Sequence, residues 1–239
     1  MMQLNRTKNR AQPDHQFHFV QPALLALALP AISQRASRLE EFQTRSGIVS
    51  KRTAGLVLEY LLGRGIGQAS RRGLYSFSKS DRVKLGLLAI QNGNDIERIS
   101  NCLSWQDFEA FASNLLKISG YVTECNLYFS KPSRMQIDVV GINRDSSLAI
   151  VIDCKHWKRN HLSSISLYAR KQARRASDLL IHKKMISHAI PVVLTLHSMD
   201  IQFVDGIPLV PISKFNSFVR ELPLYFDEIE VSTGNTKLD

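Results

Sequence analysis

At 239 residues, with 44% hydrophobic and 22% charged residues, the chain can bury a sizeable core and is too apolar to be disordered throughout. Its formal net charge of +10 points to a polyanionic partner. Three cysteines without CxxC spacing exclude a disulfide framework and a zinc ribbon, so reduced thiols and a cytoplasmic setting are expected.

Arg6, Lys8 and Arg10 precede the apolar run Ala23–Leu29, a pattern that superficially resembles a signal peptide. The run is too short to span a bilayer and is bracketed by Pro22 and Pro30. Residues 1–34 are therefore expected to be a poorly ordered tail with a short helical piece, and no membrane partner is expected. Ala36–Gln43 reads as a short helix. Apolar residues at 54, 57, 58, 61 and 62 lie on one face of another. Gly63-Arg64-Gly65-Ile66-Gly67 ends that helix; with no strand before it and no Gly-Lys-Ser/Thr after it, it is not a phosphate loop. Leu74–Phe77 has the composition of a short strand. Ser78 or Ser80 caps a helix over Asp81–Ile90, and Asp95–Leu103 forms one more. Residues 35–103 thus form a small, mainly helical domain. This pattern suits a helix-turn-helix or winged-helix module and equally a packing or dimerisation domain.

The pattern changes at Ser104, an N-cap with Asp107 three residues on, ahead of an amphipathic helix over Trp105–Ile118 that Gly120 ends. Strands are predicted over Tyr121–Phe129, Met135–Ile142 and Ser147–Lys155, followed by a basic helix from about Ser163 to Lys184. Pro191–Leu196 and Ile207–Ile212 are buried-type strands, and Ser213 caps a helix through Leu222. Residues 104–225 are thus an α/β domain with a mixed sheet flanked by helices, and residues 226–239 a C-terminal tail.

Charge is concentrated in two places. Between 155 and 184 stand Lys155, Lys158, Arg159, Arg170, Lys171, Arg174, Arg175, Lys183 and Lys184, opposed only by Asp178, for +8. Between 51 and 84 stand Lys51, Arg52, Arg64, Arg71, Arg72, Lys79, Arg82 and Lys84 against Glu59 and Asp81, for +6. Such concentration suits the neutralisation of phosphates, so nucleic acid is the expected partner.

The first of these clusters starts inside the most informative motif. Gln136–Gly141 and Ala149–Lys155 flank the polar turn Asn143–Ser147, the signature of an antiparallel hairpin. Centring the turn on Asp145 and Ser146 makes partner numbers sum to 291 and puts Asp138 opposite Asp153. Directly opposed residues have Cβ atoms roughly 4.5–5.5 Å apart, where like charges repel. A divalent cation would remove that penalty. Strand alternation places Lys155 on the face of Asp153, and two acids with a lysine form a site for metal-assisted hydrolysis. Cys154, His156 and His161 match no common structural zinc spacing, and Trp157 reads as packing rather than base stacking.

Glu109 on a helix, Ile137-Asp138 and Asp153-Cys154-Lys155 together resemble the PD-(D/E)XK nuclease superfamily. Phe108-Glu109 ahead of Gly120-Tyr121 makes the chain most similar to its Mrr-type restriction endonuclease branch. The resemblance covers roughly residues 104–222 and implies a restriction-endonuclease-like sheet. It departs in having Ile137 where many members have proline and Asp153 where many have glutamate. It implies that Asp138 and Asp153 ligate Mg²⁺ or Mn²⁺ together with the Cys154 carbonyl. Lys155 would orient or deprotonate the attacking water, and Glu109 would hold a metal-associated water or a second ion. Lys158, Arg159, Arg170, Lys171, Gln172, Arg174 and Arg175 would contact DNA beside the site, with Lys171 or Gln172 at the scissile phosphate. Lys51, Arg52, Arg71 and Arg72 would contact it from the helical domain. The implied activity is a metal-dependent DNA endonuclease. The alternatives are a non-catalytic DNA-binding regulator on the same scaffold and a nuclease for RNA or branched DNA. A double-strand cutter needs two active sites, which a homodimer would supply.

Overall fold

The computed structural model describes residues 20–130, 134–155, 157, 162–199 and 202–234. Its first helix, α1 (Pro22–Ala28), runs into a tight turn over Leu29–Ala31. A short helical piece is expected here within a poorly ordered tail; the helix is present, but Leu25, Ala28 and Leu29 are fully buried. The reason is local. Pro22 supplies the fixed φ of a first helical position, and the Asn94 side-chain amide donates to the Pro22 carbonyl at 2.8 Å. Leaving those leucines in water would forfeit about 1.5–3 kcal/mol each.

Then come α2 (Leu39–Ser46) and α3 (Lys51–Gly63). Gly47 ends α2 with φ 69°, in the left-handed region that glycine enters without steric cost. The Ser50 hydroxyl accepts the Thr53 N–H to open α3. A hairpin follows, β1 (Gln68–Ala69) against β2 (Tyr75–Ser76). Ser37 adds an antiparallel bridge to Tyr75, with hydrogen bonds of 2.9 and 2.8 Å. Helix, bridge, helix, helix, strand, turn, strand is the order of a winged helix, and the exposed Arg71 and Arg72 sit at the hairpin tip.

Helices α4 (Lys79–Gln91) and α5 (Ile96–Asn101) lead to α6 (Trp105–Ile118). Ser104 and Asp107 form the expected capping box on α6. A seven-stranded sheet follows in the order β3-β4-β5-β6-β8-β7, with β9 also on β6. Its members are β3 (Val122–Phe129), β4 (Met135–Asn143), β5 (Leu148–Lys155), β6 (His188–Thr195), β7 (Phe203–Val204), β8 (Ile207–Pro211) and β9 (Ser232–Thr233). The two ribbons β3–β4 and β4–β5 are antiparallel. Helix α7 (Leu162–His182) crosses over so that β6 pairs parallel with β5, and β8 runs parallel to β6. Helix α8 (Ile212–Glu221) closes the α6 side. The C-terminal stretch is not all tail: Ile229 is buried, and β9 takes the edge of β6 at His188–Ala189.

One continuous apolar cluster runs from Leu25 and Phe42 through Leu85 and Ile99 to Phe108, Phe111 and Leu116, then into Ile150, Ile152 and Phe215. The helical region and the sheet therefore share a core. On the other face, Val140, Ala149 and Val151 pack under Ala176 and Leu179 of α7. The approach of α6 to the sheet is close at Gly141, where an added Cβ would lie 2.7 Å from the buried Leu116. Among the described residues no helix is long and apolar enough to cross a membrane.

Candidate active site at the open end of the β4–β5 ribbon

The β4–β5 register is the one expected from the turn. Val139 pairs with Ile152 and Val140 with Val151, so partner numbers sum to 291. The turn is built by Asn143, whose side-chain oxygen accepts the N–H groups of Asp145 and Ser146. The ladder stops at Val139 and Ile152, one step before Asp138 and Asp153. There the regular alternation breaks. Val139 packs in the α6-side core and Ile137, two residues away, in the α7-side core. Opposite Asp138, Asn126 of β3 has φ 53°. This kink turns the Asp138 carboxylate along the sheet, where Oδ2 accepts the Cys154 N–H at 2.8 Å. A strand residue carries its N–H and C=O on one edge, so the Cys154 carbonyl faces the same side.

Asp153 is 2% exposed and faces α7. Its Oδ1 accepts Arg175 Nη1 at 2.7 Å, and its Oδ2 lies 2.7 Å from Lys155 Nζ. Lys155 is in turn flanked by two aromatic rings, its ammonium 5.6 Å from the Trp105 centroid and 5.2 Å from that of Tyr168. Glu109 is buried on α6. It accepts from the Trp105 indole N–H and from Asn126 Nδ2, and Gln136 holds Asn126 at 3.0 Å.

Burial, and then the neighbouring Asp153 charge, push Asp138 up to about 6 against the lowering effect of the Cys154 N–H. Complete burial raises the Cys154 thiol well above its ordinary range, so its side chain is packing and not a nucleophile. Three buried acids thus face two cations, Lys155 and Arg175, and the surplus negative charge rests on Asp138. An all-oxygen donor set with surplus charge suits a hard divalent cation, which needs only one or two carboxylates and keeps several waters. Among the described residues no group of three or more His, Cys, Asp or Glu side chains converges into a metal cage. Asp138 and Asp153 with the Cys154 carbonyl fit such an ion. Glu109, tied to Trp105 and Asn126, stands outside that set.

The basic residues divide into three groups. Arg170, Lys171 and Arg174 are exposed on α7, with Arg174 only 3.8 Å from Asp178. Arg175 points inward onto Asp153 instead of joining them. Gln172 is a correction to the sequence reading: it is fully buried and donates to the Val151 and Val192 carbonyls at 2.6 and 3.2 Å. It clamps α7 onto β5 and β6 and accepts Arg175 at 3.1 Å, so it reaches no phosphate. Lys51, ion-paired with Glu40, and Arg52, Arg71 and Arg72 are exposed on the helical region. Lys158 and Arg159 lie outside the described residues, as do His156 and His161. Sequence reasoning missed Trp105, Asn126 and Tyr168. Tyr168, Gln172 and Arg175 follow one another at steps of four and three, a helical-face spacing that marks the polar inner stripe of α7.

No family model matches the chain. An uncharacterized protein of Archaeoglobus fulgidus is 28% identical over 131 residues, 53% of this chain and 97% of that protein. Protein VC1899 from Vibrio cholerae resembles the structure with a TM-score of 0.41 and 15% identity, over 87% of this chain and 52% of that one. McrB AAA+ hexamers with bound McrC from Thermococcus gammatolerans match at 0.34 and 13% identity, over 85% and 50% of the two chains. Can2 from Sulfobacillus thermosulfidooxidans, solved with cyclic tetra-adenylate, matches at 0.29 and 12%, over 85% and 50%. The chain spans about half the length of these solved structures.

Proposed function

We propose that the chain is a metal-dependent phosphodiesterase that cuts DNA internally, and that its helical region is a second DNA-contacting surface. The observation that carries this is the joining of two buried carboxylates and a lysine at one end of the β4–β5 ribbon, with Asp138 bonded to the Cys154 N–H and Asp153 ion-paired to Lys155. Mg²⁺ or Mn²⁺ held by Asp138, Asp153 and the Cys154 carbonyl would supply Lewis-acid polarisation of the phosphate and acidify water beside it. Arg175 pairs with Asp153 and fixes its rotamer. Lys155 places its ammonium where charge grows on the phosphorus oxygens and where the attacking water is oriented. Glu109, immobilised by Trp105 and Asn126, orients solvent on the α6 side. Arg170, Lys171 and Arg174 line the approach with phosphate contacts, which position the strand without reading its sequence.

The test is cleavage of plasmid and oligonucleotides with and without Mg²⁺ or Mn²⁺. Wild type is expected to cut only with metal, while Asp153→Ala and Lys155→Ala bind DNA but leave it intact. Wild-type protein that never cuts any nucleic acid with either ion overturns the proposal. One observation favours a second reading, a non-catalytic binder: both oxygens of Asp153 already meet cations. On that reading calorimetry shows no binding of Mn²⁺ by the wild type, and EDTA leaves DNA binding unchanged.

A further inference from the structure

We propose that the polynucleotide is unpaired at the bond cut, with the base beside the scissile phosphate stacked on Trp105. This rests on the phosphodiesterase reading for the word cut; the stacking site itself does not. Trp105 is 39% exposed although it is a large aromatic residue. It opens α6 so that its ring stands over the Lys155 ammonium. Tyr168 of α7 carries two ammonium groups, Lys155 at 5.2 Å and Lys171 at 5.8 Å from its centroid. Trp157 backs Tyr168 with ring centroids 5.1 Å apart and packs against Ile165 and Val193. It forms the wall behind the ring, not a second platform.

A phosphate received by Lys155 therefore has two aromatic rings within reach, and a second ammonium, that of Lys171, lies at one of them. That is the spacing of a single strand, in which cationic groups track the backbone and rings take the bases. A duplex does not suit it. Each base face there is covered by the next base pair, and only edges are offered in the grooves. Stacking on Trp105 would require a base to be unstacked first, at a cost of a few kcal/mol.

Trp105 and Trp157 are the 2 tryptophans of the chain, so in the full-length Trp157→Phe protein the emission reports on Trp105 alone. Oligothymidylate, oligouridylate and a hairpin duplex of equal length are titrated in EDTA. Both single strands are expected to quench the emission saturably, at concentrations at least tenfold below the duplex. Removing the ring by Trp105→Leu should weaken single-strand binding by about tenfold, the loss of one stacked base, and leave duplex binding unchanged. Trp105→Phe, which keeps a ring and loses the N–H to Glu109, should retain the affinity. Equal binding of duplex and single strand, equal loss for both, or a Trp105→Phe variant as weak as Trp105→Leu overturns the inference. In Mg²⁺, cutting within the unpaired part of a bubble substrate supports it. Cutting confined to paired DNA overturns it and leaves the phosphodiesterase standing. Quenching as expected with no cutting of any substrate supports the stacking site and removes the phosphodiesterase.

Discussion

At the scale of single residues the site is a problem of surplus negative charge. Asp138 is raised from 3.8 to about 6, first by burial and then by Asp153, so the folded state holds its proton more tightly than the unfolded chain. The stabilisation this gives is complete below pH 3.8 and is lost as pH rises through about 6. Metal-free wild type should therefore lose Tm between pH 4 and 7, and Asp138→Asn, which cannot ionise, should lose less. Mn²⁺ at pH 7 should restore wild type and leave the variant unmoved. Thermal melts of the two proteins across that range check both statements, and parallel curves would refute them. Arg175 makes the complementary case. Its guanidinium is one of two cations on a carboxylate that is 2% exposed. Removing one partner of a buried pair is costly because charge is left uncompensated. With Lys155 remaining, Arg175→Ala should cost about 2 kcal/mol, and a divalent cation should raise the Tm of the variant more than that of wild type.

At the scale of elements, α6 and the β4–β5 ribbon set the position of every acid. Gly141 lets α6 lie against β4, and a Cβ there would meet the fully buried Leu116. Gly141→Ala should lower stability by about 1–3 kcal/mol through overpacking and loosen Glu109 relative to Asp138. Chemical denaturation reads the first effect. The ribbon was legible in the sequence because register follows from the turn: a centre at Asp145 and Ser146, the one supposed, is the one that pairs Val140 with Val151. The α6 capping box was legible because it is local. The burial of helix α1 was not: a short leucine run between prolines looks alike in a tail and in a core, and only the docking of α4 decides it. The clamp by Gln172 was hidden for a related reason. On a basic helix a glutamine reads as one more surface group, until Val151 and Val192 present carbonyls beneath it. The kink at Asp138 depends on Asn126 of the neighbouring strand, a contact between segments that no local pattern records.

At the scale of the whole molecule the charge lies in two patches, one on α7 beside the acids and one on the helical region at Lys51, Arg52, Arg71 and Arg72. The two regions share a core, so the patches are held at fixed separation. Rigidly linked sites on one polyanion raise each other's effective concentration only when the ligand is long enough to reach both. Each phosphate neutralised adds about 0.9 to the slope of log affinity against log salt on duplex DNA and about 0.7 on a single strand. Replacing Arg71 and Arg72 at the hairpin tip by alanine should therefore reduce that slope by between about 1 and 2 on a long oligonucleotide. On an oligonucleotide covering only the α7 patch it should change nothing. Arg170→Ala with Arg174→Ala should reduce the slope at both lengths, because those residues are exposed on α7 itself. Fluorescence anisotropy over a salt series on the two lengths separates the cases. A hairpin-tip substitution without effect at either length would make the winged-helix-like region a packing element and confine nucleic-acid binding to α7.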